Sequence, residues 1–502
     1  MADALRLAAI DLGAESGRVV VGRYDGELAE LEVAHRFPNR PLRLPDGLHW
    51  NAPQLFAEIL RGLGTAAQTG RLDGIGIDGW GCDYALLDGG GRMLGLPFHY
   101  RDERTSAEVV ARTHACVGRA ELYRRTGIQT MPINTIFQLR AEATGPAVSV
   151  AERIALIPDL IALWLTGTLA NEETIASTTG LLEAHGRRWG ADLVGRLGLP
   201  RRPFAGEVTP PGVQLGTVLD AHSDTAGAAA GVAVRTVAGH DTASAFAAAP
   251  LSGPHGAVLS SGTWSLLGVE LSEPELGLDA SGFNLTNERG INRTTRLLRN
   301  VMGLWLVQEC RRAWRAAGTE RDYDELQTLA RNAPPHVPVF DPDHDTLLRG
   351  GDMPARIAEL LDATGQPALA DRGELLRSIL VSLACKYRLV TEQLERVADR
   401  RIDTIHVVGG GARNQLLCQL TADLLDRPVL AGPVEATALG NVLVQALALG
   451  ELADLADVRR VAARSVSLQR FEPDPSHSAQ DTYQRFLTVT GLTVDRAVRT
   501  PA

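Results

Sequence analysis

Asp11 is followed by Gly13, Ser16 and Gly17 in the stretch DLGAESG, so a carboxylate stands at the mouth of a turn built from small residues. Backbone amides of such a turn meet phosphate oxygens, and the carboxylate can hold Mg²⁺ directly or through water. A plain hairpin turn is the other reading of the same residues. A second carboxylate, Asp241, lies in Gly239-His240-Asp241-Thr242. Phosphoryl transfer to an alcohol needs a base within reach of the hydroxyl, and Asp241 suits that task, with His240 and Thr242 beside it to hold sugar hydroxyls. An Asp N-cap with a packed His explains the segment too. The two readings are compatible, because an N-cap carboxylate sits beside an electropositive helix end.

A third segment, Gly409-Gly410-Gly411-Ala412-Arg413-Asn414, follows the apolar run IHVV. Glycines there remove side chains where a flat ligand could lie on backbone, and the helix start that follows could face a phosphate. It does not fit G-x-G-x-x-G, and a simple turn is the alternative. A fourth group joins Trp80-Gly81-Cys82-Asp83-Tyr84 to His99-Tyr100-Arg101-Asp102. Sugars stack on aromatic rings and take paired hydrogen bonds from polar groups, so Trp80, Asp83, Arg101 and Asp102 are candidates to line a polyol site.

These groups must be positioned by strands and helices. LRLAAID (5–11) and RVVVGRY (18–24) flank the GAESG turn as a hairpin, and GIGIDGWGCDYALLD (74–88) adds a further glycine-rich strand. NAPQLFAEILRGLGTAAQ (51–68) has helical spacing. From 104 to 200 the pattern is mainly helical, in TSAEVVARTHACV, INTIFQLRAEA, PDLIALWLTG and ADLVGRLGL, an elaboration suited to walling a pocket. VAVRTVAG (232–239) then leads into HDTASAFAAA, which puts Asp241 at a strand-to-helix junction. Strand, small-residue turn and strand recur in GAVLSSGTWSLLGV (256–269), around Ser260 to Thr263. Helices are expected at about 301–316 and 373–398, strand-turn-helix logic over 402–429, and an Ala-rich helix in PVEATALGNVLVQALALG. Two lobes of similar topology, each offering a small-residue turn to a shared cleft, account for the recurrence. The lobe boundary falls near 240–255.

Composition narrows the function classes. The 502 residues suffice for two or three domains, and 45% apolar with 22% charged residues is ordinary globular usage. The net charge of −10 without long basic runs argues against a general nucleic-acid groove or a polybasic membrane patch. Lys386 is the single lysine, so neither the G-x-x-x-x-G-K-[ST] loop nor a protein-kinase lysine arrangement is present. The 5 cysteines, at 82, 116, 310, 385 and 418, form no CxxC pair and read as free thiols of a reducing compartment. No HExxH pair occurs, His336 and His344 lack regular ligand spacing, and Ser261-Gly262-Thr263 is not a G-x-S-x-G elbow, so zinc sites and Ser-His-Asp hydrolysis are disfavoured. With neither a signal-like leader nor an apolar span, a cytoplasmic protein is expected, and the reading leans to a monomer with a dimer as the alternative.

Assembled in this order, the motifs resemble the FGGY family of carbohydrate kinases, and within it the branch acting on L-rhamnulose. The resemblance runs from about residue 7 to about residue 480, and its most specific stretches are AIDLGAESGRV (9–19), GIDGWGCDYALLD (76–88), GLPFHYRDERT (95–105), RTGIQTMPINTIFQLRA (125–141), GHDTASA (239–245), LSSGTWSLLG (259–268), NVMGLWLVQ (300–308) and GGGARNQLLCQLTADLLDRPV (409–429). It implies an α/β protein of two ribonuclease-H-like lobes of the actin/hexokinase type, with a helical elaboration in the first lobe and a central ligand cleft. The implied division is a sugar-binding N-terminal lobe over 1–245, a nucleotide-binding C-terminal lobe over 246–480, and a tail over 481–502.

The resemblance also implies roles. Asp241 would be the general base for the C1 hydroxyl of L-rhamnulose in an ATP-dependent phosphorylation. Gly81, His240, Asp241, Thr242 and Asn300 would contact the sugar. Ala14, Glu15, Ser16, Gly17, Arg18, Thr263, Gln308, Gly410 and Gly411 would contact ATP, and Asp11 would be the Mg²⁺-side carboxylate. Relatives commonly carry a small residue where this chain has Glu15, and a carboxylate beside a triphosphate is repelled unless it points outward, pairs with an arginine or meets Mg²⁺. Rival readings are a kinase for another ketose such as L-fuculose or L-xylulose, a glycerol or D-xylulose kinase, and a non-catalytic sugar-binding protein on the same fold.

Overall fold

The computed structural model describes residues 4–474 and 479–494. A six-stranded sheet is built from β1 (Leu5–Leu12), β2 (Ser16–Tyr24), β3 (Ala29–Pro38), β4 (Gly74–Gly79), β5 (Gln214–Thr217) and β6 (Ala233–Arg235), in the order β3-β2-β1-β4-β6-β5. The apolar run of β1 is buried on both faces, as expected for a strand with a parallel neighbour. It pairs antiparallel with β2 across the GAESG turn and parallel with β4. Register then decides the chemistry: Asp11 lies opposite Arg18 on β2 and opposite Asp78 on β4. Directly paired residues share a face, so Arg18, Asp11 and Asp78 form one row across three central strands.

The second sheet contains β7 (Gly256–Ser261), β8 (Trp264–Leu271), β9 (Thr286–Arg289), β10 (Thr295–Met302), β11 (Thr404–Val408), β12 (Val429–Ala431) and β13 (Gln469–Phe471), in the order β9-β10-β8-β7-β11-β12-β13. Here β7 pairs antiparallel with β8 and parallel with β11. The strand run β10-β8-β7-β11-β12 therefore repeats β3-β2-β1-β4-β6, which accounts for the recurrent strand-turn-strand sequence pattern. Its own core gathers Leu259, Leu267, Val301, Leu306, Tyr387 and Phe486 around the helix Arg372–Ala398.

One expected helix is shifted. Val301 and Met302 belong to β10, opposite Ser265 and Trp264, and the helix spans Trp305–Ala316. An apolar run of this kind reads as either element, and pairing with β8 settles it as strand up to Met302. Asn300 thus stands on a strand, opposite Leu266. The expected 480/481 division falls inside the helix Ala479–Thr490, whose Tyr483 and Phe486 join the second core.

The lobes are joined by two helices, α1 (Asp241–Ala248) and α2 (Ala436–Ala448). Although α2 comes late in the chain, it lies on the first sheet: Leu439, Val442 and Leu443 pack with Leu7, Ala9 and Val20. Asn441 Nδ2 donates to Asp78 Oδ2 at 2.6 Å and Gln445 Nε2 to the Ala8 carbonyl at 3.0 Å. Where α1 meets α2, a Cβ on Gly440 would stand 1.9 Å from the Ser244 carbonyl oxygen, so only glycine permits this approach. The helical elaboration carries the helices Ala107–Cys116, Arg119–Thr126, Thr135–Ala141, Ile157–Thr166 and Ala191–Arg196, and a strand, Arg153–Leu156, that the helical reading did not register and that pairs with Tyr84–Leu87 at the end of the 74–88 run. It docks on the second sheet's edge: Asn287 N donates to the Gly127 carbonyl at 2.8 Å, and Asn300 N to Gln129 Oε1 at 2.9 Å. Among the described residues no helix is long and apolar enough to cross a membrane, and all five cysteines are free thiols.

Backbone at the α1–α2 contact cannot retract as a flexible side chain would. Gly440→Ala is expected to lower stability by about 1–3 kcal/mol in chemical denaturation; a wild-type midpoint would contradict the close approach.

Candidate active site

Between the two sheets lies a cavity of about 240 Å³. Asp11, Gly13, Ala14 and Arg18 reach it from the first hairpin, Ser260 to Trp264 from the second, and Gly409 and Gly410 from the glycine run. Trp80, Gly81, His240, Asp241, Thr242 and Asn300 line it from the sheet ends and the head of α1. Of the residues expected in the site, ten meet here: Asp11, Ala14, Arg18, Gly81, His240, Asp241, Thr242, Thr263, Asn300 and Gly410.

The remaining five stand behind or beside it. Ser16 closes the first turn, its carbonyl accepting the Gly13 amide at 3.1 Å. Gly17 lies below, where a Cβ would come within 2.3 Å of the Phe37 ring. Glu15 is turned away onto Arg312 of the helix Trp305–Ala316, an ion pair spanning the two lobes. Of the three arrangements open to that carboxylate, pairing with an arginine is the one present. Gln308 places Nε2 3.5 Å from Thr263 Oγ1, and its buried Oε1 has no hydrogen-bond partner among the described residues. Gly411 is buried against Ser261, with a Cβ position only 2.0 Å from Ser261 Oγ.

Asp241 is not the N-cap of its helix. His240 occupies that position with extended backbone, and Asp241 is the first helical residue. Its Oδ1 accepts the Thr242 hydroxyl at 3.1 Å and stands 3.5 Å from His240 Nε2. Burial, followed by the charge of Asp11, raises its carboxyl above the usual range, against the opposing pull of His240 and the Thr242 hydrogen bond. The loop bearing it is held from below: Glu172 Oε2 accepts the Gly239 amide at 3.0 Å, and Thr174 Oγ1 the His240 amide at 3.1 Å. Asp11 Oδ2 takes Arg18 Nε at 2.9 Å and Nη2 at 2.6 Å, while Arg18 Nη1 meets Glu435 at 2.8 Å.

The aromatic cluster is only partly a pocket wall. Trp80 lines the cavity, but Asp83 is buried behind it and accepts Trp50 Nε1 at 2.5 Å and Trp80 Nε1 at 2.9 Å. Burial pushes its carboxyl up to about 6 in spite of hydrogen bonds from Gln138 and the two indoles. Asp102 accepts the Leu48 amide at 2.7 Å, and Arg101 is enclosed with Tyr100, Trp264 and Trp305, its guanidinium 3.7 Å from the Trp305 ring. Neither lines the cavity. Sequence reasoning also passed over Asp78, Gln129, Glu288 and Asn441. An Asp amid the glycines and isoleucines of GIGIDG was a signal for the first; the others stand in stretches with no local signature.

Both domains of one family match this chain: the N-terminal domain of the FGGY family of carbohydrate kinases over residues 7–247 and its C-terminal domain over 257–449. The chain belongs to the FGGY family of carbohydrate kinases. It is similar to a protein named rhamnulokinase from Bacteroides thetaiotaomicron, 39% identical over 95% of this chain and 98% of that protein. A Klebsiella pneumoniae rhamnulokinase is 41% identical over 93% of this chain and 94% of its own length. Among solved structures the fold is that of gluconate kinase from Lactobacillus acidophilus (TM-score 0.79, 15% identity, 99% of both chains). Plasmodium falciparum glycerol kinase with ADP shares it too (TM-score 0.74, 14% identity, 96% of this chain and 97% of that one). This FGGY chain is therefore an ATP-using carbohydrate kinase with the two-lobed α/β architecture of its relatives.

The glycine run of this kinase separates into three different requirements. Gly409 has φ +82°, a conformation that favours glycine, and Gly411 touches Ser261. Gly410 alone has nothing within 4 Å of its Cβ position and faces the open cleft. Gly411→Ala should accordingly cost about 1–3 kcal/mol of stability and Gly410→Ala less than about 0.5 kcal/mol. Equal losses in thermal denaturation would contradict this division of labour.

Proposed function

We propose that this FGGY kinase transfers the γ-phosphoryl group of ATP to the C1 hydroxyl of L-rhamnulose, giving L-rhamnulose 1-phosphate and ADP, with Asp241 as the base. The first lobe, over 1–245, would take the sugar, and the second, over 246–480, the nucleotide. What carries the reading is the place of Asp241: on the wall of the cavity at the junction of the lobes, which the two small-residue turns and Trp80 also line. The similarity to rhamnulokinases over nearly the whole chain supports the choice of sugar.

The chemistry follows from that placement. The sugar lies against Trp80, Gly81, His240, Thr242 and Asn300, with its C1 hydroxyl toward Asp241. As that oxygen attacks the γ-phosphorus, Asp241 accepts its proton, the bond from phosphorus to the β–γ bridging oxygen breaks, and ADP leaves with the electron pair. A carboxyl raised by burial is a stronger base than an exposed one, provided it is ionised at the working pH. The Gly13 and Gly262 amides close their own turns on the Ser16 and Trp264 carbonyls, and the amides of Ala14 and Thr263, which line the cavity, reach the phosphates from the two lobes. Gln308, with an unpartnered buried Oε1, and the open backbone at Gly410 serve the nucleotide.

Among the described residues no group of three or more His, Cys, Asp or Glu forms a metal cage. That suits a Mg²⁺ ion arriving with the triphosphate and needing only one hard oxygen ligand from the protein, which Asp11 offers beside the first turn. Mg²⁺ bound there would neutralise charge on the β- and γ-phosphate oxygens.

The test is ADP release with Mg-ATP across L-rhamnulose, L-fuculose, L-xylulose, D-xylulose and glycerol. L-rhamnulose should be preferred, and Asp241→Asn should lower kcat by about 100- to 10,000-fold while leaving ATP affinity nearly unchanged. Because Asp241 must be ionised and its carboxyl is raised, the acid limb of kcat/KM should lie above the ordinary carboxylate range near 3.9. Equal rates on all ketoses would reject the sugar assignment, and sugar binding without turnover would reject the kinase reading. Glu15→Ser should leave the magnesium dependence of the rate unchanged, since its carboxylate is occupied by Arg312; a raised Mg²⁺ requirement would place Glu15 on the metal instead.

A further inference from the structure

The candidate base is linked to the second lobe by a row of buried charged groups that proton transfer to Asp241 alone does not require. His240, buried and next to Asp241, turns Nε2 toward Asp241 Oδ1 at 3.5 Å. On its other side Nδ1 lies 3.2 Å from Glu288 Oε2 and 3.2 Å from Arg296 Nη2. Arg296, fully buried, stands 3.1 Å from Glu288 Oε2 and donates Nε to the Arg289 carbonyl at 2.9 Å. Glu288 is on β9 and Arg296 on β10, while His240 and Asp241 head α1 at the lobe junction. The carboxyl of Glu288 is held below its usual range, because the charges of Arg296 and His240 outweigh the penalty of burial. A buried ion pair is a poor stabiliser compared with apolar side chains of the same volume, so its position is better explained by what it touches.

We propose that Glu288, paired with Arg296, is a positioning residue for phosphoryl transfer: it fixes the ring of His240 so that Nε2 meets Asp241 and holds that carboxylate toward the cleft. The inference rests on reading Asp241 as the base. It deepens that reading, since β10 also carries Asn300 in the cavity wall. Seating of the sugar against Asn300 and orientation of the base are then functions of the paired strands β9 and β10, and the base is aligned only when the edge of the second sheet is in place.

The experiment compares kcat and KM of the wild type, Glu288→Gln, His240→Gln, Glu288→Gln with His240→Gln, and Asp241→Asn. The substrate is Mg-ATP with whichever ketose of the panel turns over fastest. Glu288→Gln should lower kcat by about 10- to 100-fold with KM for ATP unchanged, the scale expected when a reacting group is misplaced. Combined with His240→Gln it should cause no further loss, because residues acting through one another are not additive. Wild-type kcat in Glu288→Gln, losses that multiply in the double variant, or a raised KM for the ketose alone would each overturn the proposal. Should Glu288→Gln leave Arg296 as a lone buried cation and unfold, Glu288→Gln with Arg296→Gln removes both charges and is measured in its place. A readout independent of turnover is the ¹⁵N-histidine spectrum: the His240 resonances, assigned by their loss in His240→Gln, should shift in the Glu288 variants, and unshifted resonances would overturn the proposal. Retained turnover in Asp241→Asn would sink the base assignment itself, a result distinguishable from failure at Glu288.

Discussion

Three carboxylates, Asp11, Asp78 and Asp241, act on one another at one end of the cleft, and their mutual repulsion is the constraint the surrounding structure answers. Asp78 is fully buried, and its carboxyl is driven well above the ordinary range, first by burial and then by the charge of Asp11. In a medium of low dielectric such neighbours repel strongly unless each has a partner. Arg18 supplies one, gripping Asp11 and reaching Glu435 beyond it. Asn441 supplies the other through its short hydrogen bond to Asp78. Both arrive by packing: Arg18 from hairpin register, Asn441 from a helix contributed by the far end of the chain.

The same packing explains why the lobes work as one machine. The α1–α2 contact, closed to anything larger than glycine at Gly440, ties the head of the helix bearing Asp241 to the helix bearing Asn441. At the other end of the cleft, Gln129 receives the Asn300 amide and Gly127 that of Asn287, so the helical elaboration of the first lobe rests on β9 and β10 of the second. That docking also covers an edge that would otherwise present unpaired backbone groups. Beside the first hairpin turn, the Glu15–Arg312 ion pair crosses from one lobe to the other.

Much of this was legible in sequence where the cause is local. Both hairpin turns announced themselves through clusters of small residues between apolar runs, and Asp241 was placed near a helix start because the apolar run VAVRTVAG gives way to the helical pattern of HDTASAFAAA. The family resemblance then brought together residues that lie hundreds of positions apart. What was not legible depends on long-range contacts. Val301 and Met302 read as helix because apolar runs fit either element, and only pairing with Ser265 and Trp264 makes them strand. Asp83, Arg101 and Asp102 have the side chains of a sugar site but are drawn into the packing behind it, on two indoles, three aromatic rings and the Leu48 amide. Glu288 had no local mark, because its meaning comes from Arg296 and His240 on other elements.

The central claim is that the two turns deliver phosphate to a hydroxyl already held by Asp241. A crystal structure with L-rhamnulose and a non-hydrolysable ATP analogue with Mg²⁺ tests it most directly. The account predicts the ketose C1 oxygen within about 3 Å of an Asp241 oxygen and facing the γ-phosphate, with Asp11 on the metal side. A C1 hydroxyl turned away from Asp241, or a different carboxylate at that oxygen, would contradict it.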